Sequence, residues 1–392
     1  MSVDAGRTLR DLARLSAATA LVVLAFSTVL PLLAVTLQRQ GVSASAIGVF
    51  AALPFVTVAL VLPWLPQVFA RIGAARAYRL GLVLEGLCTL GYALGDGYWL
   101  WCACSVLGCV GAAALWNGTE AMIAFNAPPH MRGRVTGLYQ TSLGVATAVG
   151  PLLPLAVAAL WPAAPPLLLV KLAPLAFVAA LSLASGVVLA RLPVAHRAAA
   201  GHTLWTALRA RPGLAALAFA GGVFEAGLGA ISAAHGAAVG LSLAAATSIA
   251  GVLGAGSFLL QYPAGWLADH VDLRRVFVGA GAVLGLASLA FAASGAWPPL
   301  LWGTAFCWGA VGGALYTLTM VRVAHDFAAS SAIAGAAAMI AGYTAGGAVG
   351  PAVSGAMLDR WGVVGQSLWL TLLAGAVLMV ALRGEFRRSP AA

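Results

Sequence analysis

The chain has 392 residues, 62% of them hydrophobic and 8% charged, with a formal net charge of +10. A soluble domain carries roughly 25% charged residues, so a chain this poor in charge cannot cover a water-facing surface. The positive charge is nearly all arginine, with Lys171 the single lysine, and it falls between apolar runs rather than along a stripe, which argues against nucleic acid as a partner.

The first uncharged runs, Leu15 to Leu37 and Ser43 to Ala70, each exceed the roughly 20 residues that cross a bilayer. The first is too long for a signal peptide and leads straight into the second, so it reads as a retained helix. Cutting the chain at charges and turn residues predicts twelve spans: 14–37, 46–68, 77–95, 98–124, 135–160, 166–190, 213–236, 244–267, 276–294, 299–323, 332–358 and 365–383. The connections are short and rich in Gly or Pro, as at 95–97, 161–166 and 295–299. The longest, 191–212, is basic. Its stretch 203–211 reads as an amphipathic surface helix on the headgroups. It divides the chain into an N-terminal six-helix bundle (1–190), a cytoplasmic connecting loop (191–212) and a C-terminal six-helix bundle (213–392). Five cysteines (Cys88, Cys102, Cys104, Cys109, Cys307) all lie inside apolar runs without a CxxC pair, so neither a disulfide nor a metal site is expected.

Arginine placement sets the orientation, because cytoplasmic loops carry the positive charge. With the N-terminus in the cytoplasm, the inner segments hold Arg7, Arg10 and Arg14, then Arg71, Arg76 and Arg79, then Arg132 and Arg134. They go on to hold Arg191, Arg197, Arg209 and Arg211, then Arg274, Arg275 and Arg322, and finally Arg383, Arg387 and Arg388. Only Arg39 and Arg360 fall outside. Both termini are therefore expected in the cytoplasm.

The two halves resemble each other. Ala148-Val149-Gly150-Pro151 recurs as Ala348-Val349-Gly350-Pro351, and Pro63 recurs as Pro263, both at an offset of 200. Six helices followed by six in the same order is the parallel-repeat plan of many secondary transporters, which bind solute between the halves near the midplane. In span eleven, Gly342, Gly346 and Gly350 stand at i, i+4 and i+8 on one face. Small residues let helix backbones approach closely in lipid, and Pro351 then permits a bend.

After span eight, Gly265 is followed by Asp269 and then by the pair Arg274-Arg275. This resembles the loop signature of the major facilitator superfamily. Pro128 through Arg132-Gly133-Arg134 looks like the superfamily's loop after span four. Gly346, Gly350, Pro351, Ser354 and Gly355 are similar to its Gly-rich pattern. Leu315 to Leu318, with His325-Asp326, resembles a mostly uncharacterised bacterial branch. The resemblance covers the whole chain. Two departures are visible: the loop after span two (63–76) has no Asp, and Ala146 stands where the span-five pattern has Gly. The resemblance implies an all-α fold of two pseudo-symmetric six-helix bundles in the bacterial inner membrane. It also implies a conformational latch on the cytoplasmic side from Asp269, Arg274, Arg275, Gly265 and Arg132, with packing or hinge positions at Gly150, Pro151, Gly346, Gly350 and Pro351.

Charges inside the spans each cost about 2.5–3.5 kcal/mol at the bilayer centre and should face a cavity or a partner. Glu225 lies midway along span seven, with Gly229 and Ser232 leaving room on its face. The resemblance places the first, fourth, seventh and tenth helices around the central cavity, which makes Glu225 a contact for solute or a coupled proton. Glu120 shares a face of span four with Trp116 and Asn117. A carboxylate, an amide and an aromatic ring suit a polar-tagged organic solute, and pairing with Arg132 or Arg134 is the competing reading. Glu85 shares its face with Thr89 and Tyr92 in span three, where buried pairing competes with solute contact. Lys171 can snorkel outward, and His235 ends span seven as a rim residue.

No serine-nucleophile motif, HExxH metal pair or phosphate loop is present, so no cofactor or enzymatic activity is expected and transport must be gradient-driven. The expectation is a monomeric secondary carrier of a small organic solute, working by alternating access and coupled to protons, with efflux as the favoured direction. Acidic and aromatic candidates without an intramembrane arginine tilt the solute toward neutral or cationic amphipathic molecules. Sugar or metabolite uptake is the alternative within that class. A membrane-embedded enzyme and a non-transporting receptor are the alternatives outside it.

Overall fold

The computed structural model describes residues 3–128, 132–165, 167–192, 208–326 and 332–383. Most of the 191–212 connection, and the side chains of Arg132 and Asp269, lie outside that description. Among the described residues every element is helical. Backbone N–H and C=O groups must be satisfied internally in hydrocarbon, and helices achieve this within one segment.

The order is α1 Val3–Arg39, α2 Ala44–Val61, α3 Leu65–Ile72, α4 Ala74–Leu94, α5 Tyr98–Asn126, α6 Arg132–Val149, α7 Leu153–Leu160, α8 Leu168–Leu183 and α9 Gly186–Ala190. After the long connection come α10 Pro212–Gly221, α11 Leu228–Ala238, α12 Leu243–His270, α13 Leu273–Phe291, α14 Leu300–Asp326 and α15 Ala332–Leu382. Nine helices among the described residues are long and apolar enough to cross a membrane. The last of these stretches is 45 residues, Ala338–Leu382. It is interrupted at Gly362, whose φ of 62° is left-handed backbone that favours glycine. Leu160 and Leu94 are 87% and 80% exposed, and a surface of that kind suits lipid rather than water.

The chain forms two compact units: Met1–Leu33 with Val56–Ala199, and Ala34–Phe55 with Ala200–Ala392. The division departs from the 1–190 and 213–392 halves in one respect, since residues 34–55 lie with the second half. The cause is close backbone packing: a methyl group on Gly48 would overlap the Pro351 carbonyl, and one on Gly355 would overlap the Ala44 carbonyl.

In the first unit, α4 and α5 cross where Gly81 faces Gly111. A Cβ on Gly111 would stand 2.6 Å from the Gly81 oxygen. One turn away, three buried hydroxyls meet: Thr19 Oγ1 lies 2.9 Å from Thr119 Oγ1 and 3.3 Å from Tyr78 OH. Arg191 reaches the buried Asp11 carboxylate at 3.6 Å. Gly150 packs against α1, where an added Cβ would sit 3.0 Å from the Thr28 nitrogen and would overlap the Ser27 hydroxyl.

In the second unit, the glycine face of α15 lies against α10 and the turn that follows it. Added methyl groups would stand 2.9 Å from the Ala215 oxygen at Gly342, 2.8 Å from the Val223 nitrogen at Gly346 and 3.1 Å from Val223 Cα at Gly350. Gly150 in the first unit and Gly350 in the second thus meet equivalent stretches, residues 24–28 and residue 223, close to the offset of 200.

The repeat is not perfect in local geometry. Pro63 and Pro151 sit in 3-10 turns, Leu62–Trp64 and Gly150–Leu152, which break spans two and five. Their counterparts Pro263 and Pro351 lie inside the continuous helices α12 and α15.

Candidate functional site

Glu225 sits in a π-helical turn, Gly222–Gly227, between α10 and α11. Such wide single turns occur where a side chain must be displaced from regular α-helical register. The turn lies close against α15: a methyl on Gly222 would overlap the Tyr343 carbonyl. Opposite it, Gly312 and Gly313 of α14 leave the room that the carboxylate occupies. A Cβ on Gly313 would stand 3.0 Å from Glu225 Oε1, and one on Gly312 would stand 2.8 Å from the Glu225 nitrogen.

Both carboxylate oxygens accept hydrogen bonds. Ser257 Oγ, on α12, donates to Oε1. Tyr343 OH, on α15, donates to Oε2 at 3.0 Å. Gln261 Nε2 extends the chain to Ser257 Oγ at 3.5 Å. The Tyr343 ring meets the Tyr316 ring at 4.7 Å between centroids, tilted by 50°. Among the described residues no ion pair involves Glu225.

The energetics are balanced. Burying a charged group in a span costs about 2.5–3.5 kcal/mol on insertion scales, and each hydrogen bond to a charged group returns about 1.5–3 kcal/mol. Two hydroxyl donors therefore offset the charge without neutralising it. Glu225, Tyr316 and Tyr343 are all half-buried. A carboxylate beside aromatic faces is the set that attracts an organic cation.

The other expected residues fall elsewhere. Glu85 is buried in the first unit, and its Oε2 has no hydrogen-bond partner among the described residues. It lines a cavity of about 20 Å3 with Cys88, Thr89, Tyr92, Ser105 and Cys109, which is space for about one water molecule. Thr89 does not serve the carboxylate: its hydroxyl donates to the Glu85 backbone carbonyl at 2.8 Å. Trp116 and Glu120 are exposed on α5, and Asn117 spends an amide hydrogen on the Ala113 carbonyl at 2.9 Å. Lys171 is exposed, and the His235 ring packs on Phe291 at 5.4 Å.

Of the expected latch, Arg274 has its backbone N–H on Asp272 Oδ1 at 2.8 Å and its guanidinium on the Leu382 carbonyl at 3.2 Å. Asp272 is thus the N-cap of α13. A Cβ on Gly265 would meet nothing within 4 Å among the described residues, and Arg275 is exposed.

Reasoning from sequence missed Ser257, Gln261, Tyr316 and Tyr343. The signal available was faint: Ser257 and Gln261 stand at i and i+4 on one helix face, and Tyr343 adjoins the glycine row.

The sequence profile of the Major Facilitator Superfamily matches residues 15–260, more than half of the chain. The chain belongs to the Major Facilitator Superfamily. Among its relatives, the uncharacterized MFS-type transporter YcaD is 28% identical over 306 residues in both Shigella flexneri and Shigella sonnei, covering 75% of each chain. In fold it is similar to a bacterial homologue of the human lysosomal transporter Spinster, solved inward-facing and unoccupied. The TM-score is 0.74 at 15% identity, with 100% of each chain covered. A mutant of the nucleoside transporter NupG gives a TM-score of 0.73 at 12% identity, covering 95% of this chain and 98% of that one. The resemblance read from the loop and glycine motifs is therefore to the family the chain belongs to. The chain is a multi-pass membrane protein with the fold of major facilitator transporters.

Proposed function

We propose that the chain is a secondary active carrier of a neutral or cationic amphipathic organic solute, with Glu225 as the residue that meets the solute or a coupled proton. The observation that carries this reading is the Glu225 carboxylate, held by Ser257 and Tyr343, beside the Tyr316–Tyr343 rings and without an ion pair among the described residues. A cation or a proton completes such a site, whereas an anion would be repelled from it.

The twelve-span reading joins the nine long apolar helices to three further segments. Ala338–Leu382 is about twice the length one span needs and counts as two, divided at Gly362. Leu168–Leu183 and Ala74–Leu94 supply the remaining two. With the arginine asymmetry, this supports cytoplasmic termini in a bacterial inner membrane and six-helix repeats divided at 191–212; the carrier is proposed to work as a monomer. The missing phosphate loop supports gradient-driven rather than ATP-driven transport, and the absence of catalytic motifs supports a carrier rather than an enzyme.

Proton coupling rests on Glu225, Glu120 and Glu85. Proteoliposomes holding a pH-sensitive dye should show proton flux when a transported organic cation is added outside. Glu225→Gln should reduce that flux by at least about tenfold, the kinetic equivalent of 1.4 kcal/mol. Flux unchanged by Glu→Gln at all three positions, or transport indifferent to a pH gradient, contradicts the coupling.

A further inference from the structure

The first N–H groups of any helix lack intrahelical acceptors. At the start of α2 they are satisfied in an unusual way. Ser43 Oγ accepts from the Ala46 nitrogen at 3.2 Å, an ordinary N-cap. The Ala44 and Ser45 N–H groups donate to Oδ1 and Oδ2 of Asp359 at 2.9 and 2.7 Å. The cap therefore comes from α15, more than 300 residues away in sequence, and it spans the two sequence repeats inside the second compact unit. Hydrogen bonds from backbone amides to a carboxylate are charge-assisted, and the positive end of the helix dipole adds to them.

The surrounding contact is close-packed backbone. Gly48 lies on the Pro351 carbonyl, Gly355 on the Ala44 carbonyl, and Gly347 on the Phe55 ring. Arg39 adds one long hydrogen bond to the Leu241 carbonyl, at 3.4 Å. The Asp359 pair is the specific attraction. Asp359 is exposed, so water can take over its hydrogen bonds when they break, which keeps the energy difference between joined and parted states small enough to reverse.

We propose that Asp359 is the latch that holds the α1–α2 corner of the first repeat against the second repeat, and that it releases when this face of the carrier opens. The proposal rests on the alternating-access reading above. On the arginine orientation this face is the outer one, opposite the loop that carries Asp269.

The test is a distance distribution from spin labels at Val49 and Val364, both exposed, in the full chain reconstituted in lipid. Cys102 and Cys307, the two partly exposed cysteines, are replaced by Ala. Asp359→Ala should raise the ratio of long to short distances by about tenfold, equivalent to 1.4 kcal/mol. Asp359→Asn, which keeps one acceptor oxygen, should raise it by about threefold and guards against loss of folding. Gly48→Leu serves as an independent wedge. If Gly48→Leu opens the face and neither Asp359 variant does, Asp359 is a plain helix cap: the latch is overturned and the carrier reading stands. If no variant opens the face, both the latch and the alternating-access reading fail.

Discussion

Gly346→Ala should destabilise the protein by about 1–3 kcal/mol, the range for overpacking a close contact, while Gly265→Ala should leave stability unchanged or raise it. Both glycines are helical. A methyl on Gly346 would stand 2.8 Å from the Val223 nitrogen and would overlap the Phe219 carbonyl, which is backbone and cannot turn aside. The same methyl on Gly265 meets nothing within 4 Å among the described residues. There only the intrinsic preference operates, and Ala is favoured over Gly in a helix by about 1 kcal/mol. Melting curves in one detergent decide the matter. A rise for Gly346→Ala would mean that α10 and α15 do not approach as described. A fall for Gly265→Ala would give that position a packing role it lacks here.

Tyr343→Phe should cost about 1.5–3 kcal/mol, the range for a hydrogen bond to a charged group. The reason is specific: Oε2 of Glu225 loses its donor at 3.0 Å while Ser257 continues to serve Oε1. The loss should shrink when Glu225→Gln is already present, because the amide carries no full charge to leave uncompensated. A double-mutant cycle isolates this coupling, expected within about 0.5–3 kcal/mol. Additive effects would place Tyr343 as a packing residue that only happens to lie beside Glu225.

The helical architecture was legible because hydrocarbon tolerates charge so poorly. The arginines mark span ends almost everywhere, and few acids remain to mislead. The glycine row at 342, 346 and 350 was legible for a similar reason: its spacing alone puts three small residues on one helix face, and backbone approaches that face. Local geometry at the repeated prolines was missed, although the sequence carries a signal for it. Pro63 and Pro263 share a residue type and a place in the repeat, yet one sits in a 3-10 turn and the other in a continuous helix. The broken spans carry a second proline three residues on, Pro66 and Pro154, whose missing N–H interrupts the helix ladder, and the continuous ones do not.

The candidate site was half legible. Glu225 stood out as an acid amid apolar residues and glycines. Its partners did not, because Ser257 and Tyr343 lie 32 and 118 residues away and look unremarkable in their own helices. The glycines at 312 and 313 read as packing positions, and only the fold shows that they leave the space the carboxylate fills. Asp359 was hidden for a different reason: its role lies in capping a helix that begins with Ala44 in the other repeat, and no local pattern announces it.

The most direct test of the central claim is a thermal-shift screen of organic compounds on the purified wild type, with Glu225→Gln in parallel. A ligand that binds the folded state raises apparent stability by mass action, by about 2.7 kcal/mol at a hundredfold excess over its dissociation constant. Cationic or neutral amphipathic compounds should stabilise the wild type and lose that effect in Glu225→Gln. Stabilisation by anions, or equal stabilisation of both proteins by the same compounds, would contradict it and leave Glu225 a structural residue.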